Sequence, residues 1–163
     1  MSSNNIEGFP EKALILYIDD EEHNLTAFKA AFRRDYRVYT AISAQAAFDL
    51  FEELKEPFEV IVSDQRMPVM TGIEFFSKVK TAEPAAIRIL LTGYADINAV
   101  IEGVNKGEIY RYLNKPWHEE ELKITLNNAI ETFRLRESNK RLTEKLARIN
   151  SQLEFLLRQQ LIS

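Results

Sequence analysis

Five side chains in this sequence could do chemistry as one group: the carboxylates of Asp19, Asp20 and Asp64, the hydroxyl of Thr92 and the ammonium of Lys115. Each stands at the end of a short apolar run. Asp19-Asp20 follows ALILYI, Asp64 follows VIVS, Thr92 follows IRILL and Lys115 follows YRYLN. Carboxylates converging in a partly desolvated cleft repel one another unless a hard divalent cation sits among them, and Mg²⁺ suits an all-oxygen site that keeps waters. A lysine opposite and a threonine hydroxyl add donors for phosphoryl oxygens. The chemistry that uses every member is an aspartate nucleophile accepting a phosphoryl group. Singly these residues say little: Asp19-Asp20 reads as a helix N-cap, Asp64 as an Asx-turn residue before Pro68 and Gly72, and Thr92 and Lys115 as loop polar residues. His23 reads as a solvated residue at a helix start rather than a phosphoryl carrier.

The runs that carry these residues are strand-like and alternate with helical spacing. Strands are expected at 13–18, 36–40, 60–63, 87–91 and 110–114. Helices are expected at 23–34, 43–55 (with Ser43 as N-cap), 72–81 and 97–103, and a long helix after Lys115-Pro116. Strand alternating with helix requires an α/β fold with an open, five-stranded, doubly wound parallel sheet. In that architecture chemistry collects beyond the carboxyl ends of the strands, where the five residues lie.

The segments YIDDEEHN, VSDQRMPVMTG, LTGYAD and YLNKPW resemble the receiver domain of two-component response regulators, over residues 11–134. The resemblance implies that the sheet is flavodoxin-like, that Asp64 is the phosphoacceptor, that Asp19 and Asp20 hold Mg²⁺ with Asp64 and the backbone carbonyl of Arg66, and that Lys115 contacts the phosphoryl group. It further implies that Thr92 is the switch hydroxyl, that Tyr112 is the aromatic turning in behind it, and that the Lys115-Pro116 bond is cis. A partner histidine kinase supplies the phosphoryl group in such a system. Arg66 and Tyr94, two residues past Asp64 and Thr92, are expected to overhang the site and to lengthen the life of the phosphorylated state by hindering water.

Composition fits this reading. The chain has 163 residues, 45% hydrophobic and 28% charged, enough for one soluble domain and an extension. Its net charge of -4 lacks the basic field of a nucleic-acid binder, and the absence of cysteine excludes thiolate metal sites and fits a cytoplasmic setting. No run reaches the length of a membrane span, and the polar residues 1–5 do not begin a signal peptide. Charge is uneven, with thirteen Lys/Arg against eighteen Asp/Glu before residue 118 and eight against seven from there on. Every glycine and proline also lies before residue 118, so an uninterrupted helix should follow.

Residues 135–163 carry a heptad. Leu135, Leu142, Ile149 and Leu156 form the d positions, and Asn139, Leu146, Leu153 and Gln160 occupy a. A lone Asn at a favours a parallel homodimer through this helix. The alternative is a helix packed back on its own domain. The basic stretch from Arg134 through Arg136, Lys140, Arg141 and Lys145 to Arg148 reads as a solvated face. Two other functional readings stay open. One is a regulatory front end of a larger output protein, such as a cyclic-dinucleotide phosphodiesterase, a nucleotide cyclase or a transcription activator, with the effector linked covalently or separate; the helix reaching Ser163 with no domain after it is what a cut connector would show. The other is a phosphate-insensitive docking scaffold. Apart from self-phosphoryl transfer and autodephosphorylation, no reaction on an external substrate is evident.

Overall fold

Continuous apolar runs need burial on both faces, and the two central strands receive it: every residue of β1 (Leu14–Ile18) and β3 (Val60–Asp64) is buried. The structure, a computed structural model, describes residues 6–162, with Tyr94 described by its backbone alone. Residues 1–5, Ser163 and the Tyr94 side chain, all named in the sequence reading, lie outside the described residues. With β2 (Arg37–Ala41), β4 (Ile87–Thr92) and β5 (Arg111–Asn114), the strands form one parallel sheet in the order β2-β1-β3-β4-β5. The expected open α/β sheet is present, and each strand falls within one residue of its expected bounds.

The period-two alternation of strand side chains divides the core. Odd-numbered residues of β1, Ile15 and Tyr17, face α1 (Glu22–Phe32) and α5 (Glu119–Ile162), which contribute Leu25, Phe28 and Phe32 and then Leu122, Leu126 and Ile130. Even-numbered Leu14, Leu16 and Ile18 face α2 (Ala44–Glu53), α3 (Gly72–Ala82) and α4 (Ile97–Asn105), through Ala47, Phe75, Phe76, Val79 and Val100. Ser43 caps α2 as expected, its hydroxyl accepting from the Ala46 amide at 3.1 Å. Thr71 does the same for α3. A 3₁₀ turn, Tyr94–Asp96, precedes α4 and was not foreseen.

α5 runs uninterrupted for 44 residues. Its last buried side chain is Arg134, and every described residue from Asn139 onward is exposed, so the distal helix does not pack back on the sheet. Arg134 corrects the reading of the basic stretch as a solvated face. It is 1% exposed; its Nε donates to Glu59 Oε1 at 2.7 Å and its Nη2 to Glu59 Oε2 at 3.1 Å and to the Pro10 carbonyl at 2.8 Å. Glu59 Oε2 also accepts from the Leu14 amide at 3.3 Å. The ion pair therefore joins α5 to the amino-terminal ends of β1 and β3. Phe9 lies over the guanidinium of Arg134 and of Arg141, 5.4 and 4.6 Å from its ring centroid. The remaining members of the stretch are exposed.

Taking one partner from a buried ion pair strands the other charge, at a cost of about 3–5 kcal/mol, whereas apolar replacement of both is often tolerated. Arg134→Met and Glu59→Leu should each lose stability on that scale in urea unfolding, and the double variant should recover most of it. A double variant as unstable as the sum of the singles would show that the two groups act independently.

Candidate functional site

Register brings the five residues to one end of the sheet. Ile18 pairs with Ser63, so Asp19 and Asp64, one residue further on, stand level on adjacent strands. Asp64 pairs with Leu91, which sets Thr92 one step beyond it, and Thr92 pairs with Asn114, immediately before Lys115. β1 and β3 are the neighbours at which the strand order reverses, the position where such sheets leave a crevice.

At that crevice one carboxylate oxygen from each of Asp19, Asp20 and Asp64 lies within 4.8 Å of the others. Asp19 and Asp64 are buried, while Asp20 is more open to solvent. Lys115 Nζ sits 2.8 Å from Asp64 Oδ1 and 3.6 Å from Asp19 Oδ2. Burial pushes the Asp64 carboxyl above the usual aspartate range; the Lys115 ammonium pulls it down, and Asp19 and Asp20 push it up further. An all-oxygen set of three carboxylates, one of them solvent-facing, is a donor set that fits a hard divalent cation.

Asp19 is held on every side. Its Oδ2 accepts from the Tyr17 hydroxyl at 2.7 Å and from Asn24 Nδ2 at 3.1 Å, and its Oδ1 accepts from the Glu21 amide at 2.9 Å. Sequence reading missed Tyr17 and Asn24. Tyr17 lies two residues before Asp19 in β1, within an apolar run that reads as core. Burial, followed by the bond to Asp19, raises the Tyr17 hydroxyl far above its usual pKa, so it serves as a donor. Gln65 was also missed: its side-chain carbonyl accepts from the Ile73 amide and its backbone carbonyl from the Gly72 amide, each at 3.0 Å, pinning the start of α3 beside Asp64.

The other expected residues take different positions. Thr92 is buried, with its hydroxyl donating to the Gly93 carbonyl at 3.1 Å. Tyr112 is 38% exposed and lines an open groove with Val104, Lys115 and His118. Arg66 is exposed, and its Nε donates to Asp96 Oδ2 at 3.2 Å, bridging the loop after β3 to the turn after β4. His23 is exposed and faces Glu21 at 3.1 Å. The Lys115-Pro116 bond is cis. The seam residues Leu135, Leu142, Leu146, Ile149, Leu153 and Leu156 lie on the projecting part of α5, away from the cluster, as does Asn139.

The profile of the response regulator receiver domain matches residues 15–127. The chain belongs to that family. It is 39% identical over 121 residues to the hydrogenase transcriptional regulatory protein HoxA of Cupriavidus necator, an alignment covering 74% of this chain and 25% of that protein. The chain thus spans about a quarter of the length of the curated relatives it matches first. Among solved structures it resembles an adenylate cyclase from Rhodopirellula baltica, with TM-score 0.79 and 33% identity over 82% of this chain and 98% of that one. A response regulator receiver domain protein from Clostridium thermocellum gives TM-score 0.70 and 33% identity over 76% and 98%. No helix of this receiver domain and its extension, among the described residues, is long and apolar enough to cross a membrane.

Because burial raises the Asp64 pKa in the folded state above its unfolded value, the fold binds that proton more tightly than the unfolded chain does. Stability therefore falls as pH rises from the unfolded to the folded pKa, and the deficit persists at neutral pH. Asp64→Asn removes the charge. In a chelator-treated sample the variant should melt higher than the parent at neutral pH, with the gap closing as the medium is acidified. A lower melting point at neutral pH would mean that the Lys115 pairing outweighs burial.

Proposed function

We propose that Asp64 accepts a phosphoryl group from a phosphohistidine on a sensor histidine kinase, and that the chain changes conformation and association in response. The observation that carries this reading is a buried carboxylate held by Lys115 at 2.8 Å inside a three-carboxylate cluster. In the transfer an Asp64 carboxylate oxygen forms the new bond to phosphorus as the phosphorus–nitrogen bond breaks, and the departing imidazole keeps the electron pair. Asp19, Asp20, Asp64 and the Arg66 backbone carbonyl would hold Mg²⁺, which when bound neutralises charge on the phosphoryl oxygens. Lys115 donates to a phosphoryl oxygen in place of its present partner, and the Thr92 hydroxyl leaves the Gly93 carbonyl to donate to another. Tyr112 then turns in from its exposed position toward the space behind Thr92, altering the face built by α4, β5 and α5.

In this reading residues 11–134 are the receiver and 135–163 a coiled-coil extension that joins two copies, in the cytoplasm. A regulatory front end of a larger protein is the second reading. It is favoured by relatives about three times as long, which are transcriptional regulators, and by the likeness to a structure described as an adenylate cyclase.

Acetyl phosphate with Mg²⁺ should add one phosphate to the intact protein, and beryllofluoride should form its complex at the same residue. Asp64→Asn should lose both by mass spectrometry and ¹⁹F NMR. Failure of the parent to take either would favour a phosphate-insensitive scaffold. Arg66, tied to Asp96 across the mouth of the β3–β4 cleft, is proposed together with Tyr94 to impede water. The Arg66→Ala/Tyr94→Ala variant should lose its phosphate severalfold faster than the parent in a radiolabel chase, and an unchanged rate would remove the shielding role.

A further inference from the structure

Six apolar side chains, Leu135, Leu142, Leu146, Ile149, Leu153 and Leu156, repeat along the projecting part of α5 with 40–61% of their surface exposed. Thr125 and the set Leu122, Leu126, Ala129, Ile130, Phe133 and Arg134 of the same helix are buried on the domain side. At 3.6 residues per turn the mean directions of the two sets differ by about 170°, close to half a turn. The seam thus points away from the domain that its own helix supports. It also has a sharp beginning: continuing the heptad backwards gives Thr132, Asn128, Thr125 and Glu121, all polar. Thr132 is moreover already engaged, with the Tyr110 hydroxyl at 3.2 Å and the Asn128 carbonyl at 2.9 Å.

Two features identify the occupant of the seam. Asn139, at an a position, finds a matching amide at its own level only on an identical helix running the same way. The flanking g and e′ pairs, Ser138 with Thr143, Lys145 with Asn150 and Gln152 with Leu157, offer no opposite charges that would select a different chain. The phase of the seam is also fixed. Arg134, one residue before Leu135, is locked to Glu59 and Pro10, and the helix beyond it has no glycine or proline at which to swivel.

We propose that the distal part of α5 pairs in parallel with the same segment of a second copy, beginning at Leu135, and that the two receivers ride on opposite outer flanks of the coil. This rests on the homodimer reading given above. The paired α5 helices then occupy the centre, and the α2–α3 faces of the two receivers lie furthest apart.

Because the chain has no cysteine, single-cysteine variants report directly. In-register d positions of a parallel coil come within disulfide reach. Mild oxidation should therefore link Leu142→Cys, Ile149→Cys and Leu156→Cys alike into covalent dimers, and leave Glu144→Cys, on the outer side, unlinked. Spin labels at Ile124→Cys, on the seam side of α5, should lie closer across the dimer than labels at Gln45→Cys on α2. A dimer by light scattering that links only near Leu146 would keep the homodimer and overturn the parallel arrangement. Gln45 labels closer together than Ile124 labels would overturn the outer placement. A monomer by light scattering would remove the homodimer reading itself, and this inference with it.

Discussion

Burial of the Asp64 carboxylate beside two like charges is the constraint on which this site depends. Three carboxylates share one end of a sheet whose central strands are wholly buried, and a single lysine reaches two of them. The two buried members, Asp19 and Asp64, have little room to move apart, because the backbone beneath them is packed on both faces by helices. Gly72 shows how little slack there is. A Cβ at that position would stand 2.4 Å from the Asp64 carbonyl oxygen and 2.7 Å from Leu90 Cδ1, so α3 approaches the end of β3 as closely as the chain permits. Asp19 is restrained from the other side by Tyr17, Asn24 and the Glu21 amide. Arrival of positive charge, or removal of negative charge, therefore alters the balance of the whole crevice rather than of one residue.

The fold was legible because its signal is repeated. Strands buried on both faces read as continuous apolar runs, helices as spaced ones, and five alternations leave one architecture. The cluster was legible for a related reason: in a parallel sheet every strand ends at the same edge, so polar residues that close four separate runs must meet. What escaped the sequence were single long-range pairings. Arg134 and Glu59 are 75 positions apart, and nothing periodic links them; an arginine amid other basic residues on a helix looks like solvated surface until the opposing carboxylate is located. Tyr17 was hidden by its own suitability for a core, since only its hydroxyl distinguishes it from its neighbours. The outward position of Tyr112 and the Thr92 bond to Gly93 depend on rotamers that residue types do not specify.

The two ends of the sheet have separate tasks. Chemistry gathers where the strands finish, while the start of β1 and β3 is tied to α5 through the Glu59–Arg134 pair. α5 itself begins near Lys115 and leaves the domain beside Arg134, so one rigid element touches both ends. A displacement of the first turns of that helix would be carried along its uninterrupted 44 residues.

The strap formed by Phe9 and Pro10 has a practical bearing on how the protein is handled. The Phe9 ring packs edge-on against Phe133 and covers two guanidinium groups, and a side chain added at Gly8 would come within 3.2 Å of Arg141. An expressed fragment trimmed to start at Leu14 therefore loses the collar around the helix exit and not a neutral leader. Shape measurements by small-angle scattering are best compared between preparations that share the same first dozen residues.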